Sequence, residues 1–260
     1  MFRGCMEVND IAGNPVIRSA LGDSFPASPT VTLRLAEEAG IDQNSRVLHI
    51  GAGVGTVCQL LTETFGCHST GIVEMEELLE YADFDDERVT YLHAPLTQPP
   101  FEPESFSHIL IEARCFVIPN LKSVLISAKS VLQSNGILIV NDAVVSEGGQ
   151  LPSMVTRMMG ETRLQEVMTL RTSDQITSEI QEAGFTIKSV REEPEVTERI
   201  LGKLQRVSLM MKMALRLAGF DPKAYGIPFT TKEVLQAYEE VRTSVADDTI
   251  QWFSWSATPF

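Results

Sequence analysis

The residues best placed to do chemistry lie in 46-RVLHIGAGVGTVCQLL-61, where an apolar run meets Gly51, Gly53 and Gly55 and then a helical pattern. Alternating glycines let backbone approach a ligand with no Cβ in the way. A turn of this kind between a strand and a helix suits nucleotide binding, because the helix N-terminus offers N–H donors. His49 precedes the turn, where such sites usually carry an acid. Glu74 follows the turn by about 20 residues, the interval expected of a ribose-binding acid. Farther on, 112-EARCFVIPN-120 and Asn141-Asp142 put Glu112, Arg114, Cys115 and Asp142 at or beyond the ends of apolar runs. Glu112 and Asp142 could serve as general base or cation anchor if both carboxylates meet in one pocket.

The elements that must position these groups are legible in the hydrophobic pattern. Residues 30–40 have apolar positions at helical spacing and end at Gly40, which predicts a helix before the glycine turn. Strand-like runs follow at 46–50, 69–73, 89–93, 108–113 and 137–141, separated by helical patterns at 55–65, 75–82 and 121–133. Short apolar strands alternating with helices predict right-handed crossovers and a parallel sheet covered on both faces. After Asn135-Gly136 and the fifth strand comes a polar, Met-containing stretch, 146–172. Thr172 or Ser173 then caps a helix that closes at Ala183-Gly184, and 186–191 is a sixth strand. Helices over 195–218 and 231–246 and a last strand over 250–258 complete the chain. The pattern divides into an N-terminal helical lid (1–44), a core (45–193), a helical cap (194–249) and a returning final strand (250–260).

Composition narrows the function. With 21 Lys+Arg against 35 Asp+Glu, the net charge of −14 repels nucleic acid and anionic membranes. No apolar run reaches the roughly 20 residues of a spanning helix, and the N-terminus has no signal pattern, so a soluble cytoplasmic protein is expected. Cys5, Cys58, Cys67 and Cys115 form no CxxC pair, so no metal site or disulfide framework is expected. Methionines cluster at Met154, Met158 and Met159, with Met168 beyond, and again at Met210, Met211 and Met213. They suit core packing, the roof of a pocket for an apolar substrate, or a homodimer or partner interface.

Taken together, the chain resembles the class I S-adenosyl-L-methionine (SAM)-dependent methyltransferases, in particular the small-molecule branch with the ubiquinone/menaquinone and arsenite enzymes. The resemblance covers about residues 45–193. It rests on Val47-Leu48-His49-Ile50-Gly51-Ala52-Gly53-Val54-Gly55, on Pro100-Phe101 and Ser105-Phe106 before the fourth strand, on 131-VLQSNGILIVNDAV-144, and on the terminal strand. It implies a Rossmann-like α/β fold with a seven-stranded sheet, SAM as cofactor and a small-molecule substrate. It also implies cofactor contacts from His49, Gly51, Ala52, Gly53, Gly55, Glu74, Ala94 and Glu112. Glu112 and Asp142 match acids near the methyl acceptor and are the candidate catalytic residues.

Several acids of the family pattern are replaced. The motif I acid is His49, the ribose acid falls on Val73 with Glu74 next to it, the adenine acid falls near Ala94 or Pro95, and the aspartate after Phe106 is Ser107. Three of these positions face the cofactor. Each lost charged hydrogen bond is worth about 1.5 to 3 kcal/mol, so a SAM affinity weakened by powers of ten is expected. Two functions follow from this sequence: methyl transfer to a small, fairly apolar acceptor, or a methyltransferase-like protein that no longer methylates. The second would be a regulatory or structural subunit, or an enzyme for another reaction such as cyclisation.

Overall fold

The computed structural model describes residues 27–81, 86–150, 152–162, 169–218 and 229–260. A helix α1 (Pro29–Glu38) leads into β1 (Arg46–Ile50), α2 (Thr56–Phe65), β2 (His68–Val73) and a 3-10 turn at Glu76–Tyr81. Then come β3 (Val89–His93), β4 (Phe106–Glu112), a short turn at Cys115–Val117, α3 (Leu121–Val131) and β5 (Leu132–Val145). The chain continues through α4 (Ser153–Thr162), α5 (Ser173–Glu182), β6 (Phe185–Glu192), α6 (Pro194–Ala218), α7 (Thr231–Ala246) and β7 (Ile250–Pro259).

All seven strands join one sheet in the order β3-β2-β1-β4-β5-β7-β6. The first five are parallel neighbours, while β7 lies antiparallel between β5 and β6. β1 and β4 are buried along almost their whole length, as their continuous apolar runs require, whereas the edge strand β3 is only partly covered. On one face Leu48, Ile50, Ile109, Ile111 and Val140 pack under α3 and α5. On the other Val47, Leu110 and Ile139 meet Val31 and Leu35 of α1, Val57 and Leu61 of α2, and Val196 at the start of α6. This is the seven-stranded sheet with helices on both faces that the pattern predicted.

Differences from the expected boundaries have local causes. Within 75–82 the described residues form a six-residue 3-10 helix, Glu76–Tyr81, in place of an α-helix. β5 begins at Leu132 and runs through Asn135-Gly136, because Leu132 pairs with Phe106 before the register shifts. The stretch 146–172 contains α4. Of the expected lid, 1–26 lies outside the described residues, and α1 packs into the core. The expected cap contributes α6 and α7, with 219–228 outside the described residues. Met168 and the side chains of Met158, Met159, Met210, Met211 and Met213 are outside them as well, while Met154 is buried.

The order of strands reverses between β1 and β4. In an open α/β sheet that reversal opens a crevice at the carboxyl ends of the strands, where ligands sit. His49 stands one residue before the end of β1 on one side of it, and Glu112 ends β4 on the other.

Candidate functional site

The turn after β1 is held by its neighbour strand. The N–H groups of Gly51 and Ala52 both donate to the Ile72 carbonyl at 2.9 and 3.0 Å, and Gly55 N–H donates to Ala52 O at 2.8 Å. Gly51, Gly53 and Gly55 all have left-handed φ, +73°, +58° and +80°, which L side chains adopt at a cost of about 1 to 2 kcal/mol. Gly55 caps α2 but supplies no side chain, so the helix begins without a side-chain cap and its first N–H donors stay available. A Cβ added to Gly53 would meet nothing within 4 Å.

Along the crevice runs a cleft of about 140 Å³, lined by His49, Gly51, Ala52, Gly53, Glu112, Ala113, Arg114 and the start of α2. It therefore unites six of the residues singled out in the sequence: His49, Gly51, Ala52, Gly53, Glu112 and Arg114. Glu74 and Ala94 stand at the ends of β2 and β3 instead. Glu74 is exposed, its carbonyl accepts from His93 Nε2 at 3.1 Å, and Ala94 N–H donates to Val73 O at 2.9 Å. Val73, in the place of the expected ribose acid, is buried at the end of β2.

Glu112 is almost fully buried. Its Oε2 accepts from the Thr32 hydroxyl at 2.7 Å and from Asn141 Nδ2 at 3.1 Å, while Oε1 has no hydrogen-bond partner. Trp252 Nε1 fixes Asn141 by donating to its Oδ1 at 2.5 Å. Burial drives the Glu112 carboxyl up to about 7, against the opposing bonds from Thr32 and Asn141. At neutral pH it stands between its two protonation states.

Asp142 has a different environment. Its Oδ2 accepts the N–H of Arg114 and of Cys115, each at 2.6 Å, and its Oδ1 takes Ala143 N–H at 2.8 Å. Burial raises its carboxyl to about 6, and those backbone donors hold it down from going further. Asp142 thus ties down the loop after β4 and does not line the cleft with Glu112. Arg171 secures the same loop: Nη1 donates to Cys115 O at 2.6 Å, and Nη2 to Ile118 O and Pro119 O at 3.0 and 2.9 Å.

His49 is buried, with Nδ1 3.9 Å from Cys58 Sγ and Nε2 without a hydrogen-bond partner. Burial first, then the Arg114 charge, pushes its pKa down to about 3, so the ring is neutral. Burial pushes the Cys58 thiol up to about 12 and keeps it protonated. Cys115 is also buried and raised well above the usual thiol range, which makes it inert as a nucleophile.

Sequence reading put Arg114 beyond the end of the fourth strand without assigning it a contact; in the structure it lies directly on the glycine turn. A Cβ on Gly51 would stand 2.6 Å from its Nε and 2.8 Å from its Cγ. Ala113 sends it there by taking a left-handed φ of +53°. Tyr91 was not singled out in the sequence; its ring packs on Gly71 and against Ala52 beneath the turn. Neither could have been found from spacing, because each reaches the turn from another strand.

The amino-acid end of SAM fits these observations. The open face of Gly53, the uncapped start of α2 and the unpartnered atoms of Glu112, His49 and Arg114 form a polar cradle in an otherwise apolar crevice. Comparison with known proteins agrees with this geometry. Residues 48–140 match the methyltransferase domain family Methyltransf_11. Over that segment the chain is similar to a methyltransferase domain, and its fold is that of solved methyltransferases.

Among relatives in sequence, a protein of Haemophilus influenzae with no assigned function is 27% identical over 188 residues, covering 69% of this chain and 74% of that one. A sterol 24-C-methyltransferase of Candida albicans is 24% identical over 157 residues, 51% of this chain and 42% of the enzyme. The chain thus spans less than half the length of that enzyme. Among solved structures, the phosphoethanolamine N-methyltransferase 2 of Haemonchus contortus in complex with SAM superposes with a TM-score of 0.75 at 18% identity, covering all of this chain and 60% of that one. The [4+2]-cyclase SpnF superposes at 0.73 with 16% identity, covering 98% and 95%. Both likenesses are of fold. No described helix is long and apolar enough to cross a membrane, and no group of metal-ligating side chains occurs among the described residues.

Proposed function

We propose that the chain transfers a methyl group from SAM to a small, fairly apolar acceptor. One observation carries this reading: a buried carboxylate with a free oxygen, Glu112, stands across the crevice from a glycine turn whose face is open. When bound, SAM would supply a methyl group already activated by its positive sulfur. Gly51, Ala52 and Gly53 would hold the methionine part through close backbone approach. Glu112 Oε1 would accept from the ammonium and take over the task of the acid that His49 replaces. Glu74, one residue beyond the buried Val73, would accept from the ribose. With Asp142 committed to backbone donors, Glu112 is the one carboxylate among the described residues that line the cleft, so the chain accelerates transfer by alignment and exclusion of water. The sterol 24-C-methyltransferase relative supports an apolar acceptor.

A second reading keeps the pocket without methylation. It is favoured by the missing carboxylates at Val73 and Ala94 and by the likeness to a [4+2]-cyclase. Calorimetric titration with SAM and with S-adenosylhomocysteine separates the two. Micromolar binding supports methyl transfer. Absence of binding to millimolar ligand, by a protein shown to be folded, overturns it in favour of the second reading.

A further inference from the structure

Arg114 has a seat that its own chain does not complete. Its Cγ, Cδ and Nε lie over Gly51 so closely that any Cβ there would collide, so only glycine at that position allows the guanidinium to cross the turn. The Nε–H is buried and has no hydrogen-bond partner. Glu74 and Asp142 attract the cation from a distance, but Asp142 has spent its oxygens on backbone N–H groups.

His49 adds a second donor beside it. The protonated Cys58 thiol faces Nδ1 at 3.9 Å, and donation there leaves the ring proton on Nε2. That Nε2 is buried and unpartnered, and His49 is 2% exposed. The cradle therefore holds two unanswered donors near Gly51 and one unanswered acceptor, Glu112 Oε1, at the end of β4. Desolvated donors left unpaired are costly, so a fold that keeps them implies a ligand acceptor. A carboxylate matches a guanidinium edge and a neighbouring N–H better than any neutral group does.

We propose that Arg114, assisted by His49 Nε2–H, recognises the α-carboxylate of the ligand on the glycine turn, while Glu112 holds its α-ammonium. The inference rests on the SAM reading above and assigns the charges of the amino-acid end to particular side chains. It makes the site selective for adenosyl ligands that carry an intact amino acid.

The test is calorimetric binding of two probes to the full chain: S-adenosylhomocysteine, and 5′-methylthioadenosine, which keeps the nucleoside and thioether but lacks the amino-acid end. Arg114→Ala should weaken S-adenosylhomocysteine about tenfold or more and leave 5′-methylthioadenosine unchanged. Arg114→Lys should recover part of the loss by restoring charge without the planar fork. Equal weakening of both probes would mark a structural role and overturn the inference. Unchanged or tighter binding of S-adenosylhomocysteine would overturn it too, because Arg114 would then only fill the ligand's place. Wild-type protein that binds neither probe would remove the SAM reading and this inference together. Binding of both probes independent of Arg114 would remove the inference alone.

Discussion

Glu112→Gln should make the protein more stable at pH 8 and less stable, by about 1 kcal/mol, at pH 4. Burial raises the Glu112 carboxyl from 4.5 to about 7, so the unfolded chain ionises this group first. Below the unfolded value both states are protonated and there is no penalty. Between 4.5 and 7 the folded protein progressively loses stability, and above 7 the full penalty of a buried charge is present. A shift of about 2.5 units corresponds to about 3 kcal/mol, an order-of-magnitude value. Glutamine can still accept from Thr32 and Asn141 through its oxygen, with its NH₂ in the place of Oε1. An unpaired amide there costs about 1 kcal/mol at every pH, so the net gain at pH 8 is about 2 kcal/mol. In a domain of this size that is a rise of roughly 4 to 8 °C in Tm. Asp142 titrates in both proteins and largely cancels. The assay is urea unfolding of both proteins at pH 4.5, 6 and 8. A stability difference independent of pH, or one that turns against glutamine as pH rises, would refute the claim that Glu112 is a strained buried acid.

The same ionisation predicts that S-adenosylhomocysteine binds more tightly at pH 8 than at pH 6 in the wild type, with the trend abolished in Glu112→Gln; a flat wild-type profile would take the ammonium away from Glu112. Glu74→Ala should raise the SAM dissociation constant about tenfold or more if that carboxylate holds the ribose, and an unchanged constant removes Glu74 from the site. Gly53→Ala has open space for its methyl but sits at φ +58°; it should cost about 1 kcal/mol of stability and weaken adenosyl ligands more than tenfold, measured by thermal unfolding and calorimetry. Arg171→Ala leaves the carbonyls of Cys115, Ile118 and Pro119 unpaired and should destabilise by about 3 kcal/mol or more. Arg171→Lys should not rescue it, since one ammonium lacks the fork that spans three carbonyls.

Much of the fold was legible because its determinants are local. The apolar residues of Val47–Ile50 and Ile109–Ile111 fit a strand covered on both faces, and Thr172, one of the two caps the sequence offered, caps the helix with Gln175 in a capping box. Gly51, Gly53 and Gly55 announced the turn because their φ values need glycine. Boundaries were less legible where tertiary pairing overrode local signals. Asn135-Gly136 reads as a turn, yet β4 draws Leu132 into pairing and the strand runs through it.

By itself, then, the sequence determined the order of elements and a ligand-approachable turn at the crevice between β1 and β4, since strand period and glycine spacing are properties of neighbouring residues. What only the tertiary structure decided is the electrostatic character of the cleft. Equivalent carboxylates in sequence, Glu112 and Asp142, became different groups because one met Thr32 and Asn141 with an oxygen to spare, and the other met three backbone N–H groups. Arg114 reached Gly51 through the left-handed turn at Ala113, across a distance of more than sixty residues in the chain. Burial and partners arise from the packing of separate strands, and no spacing rule contains them.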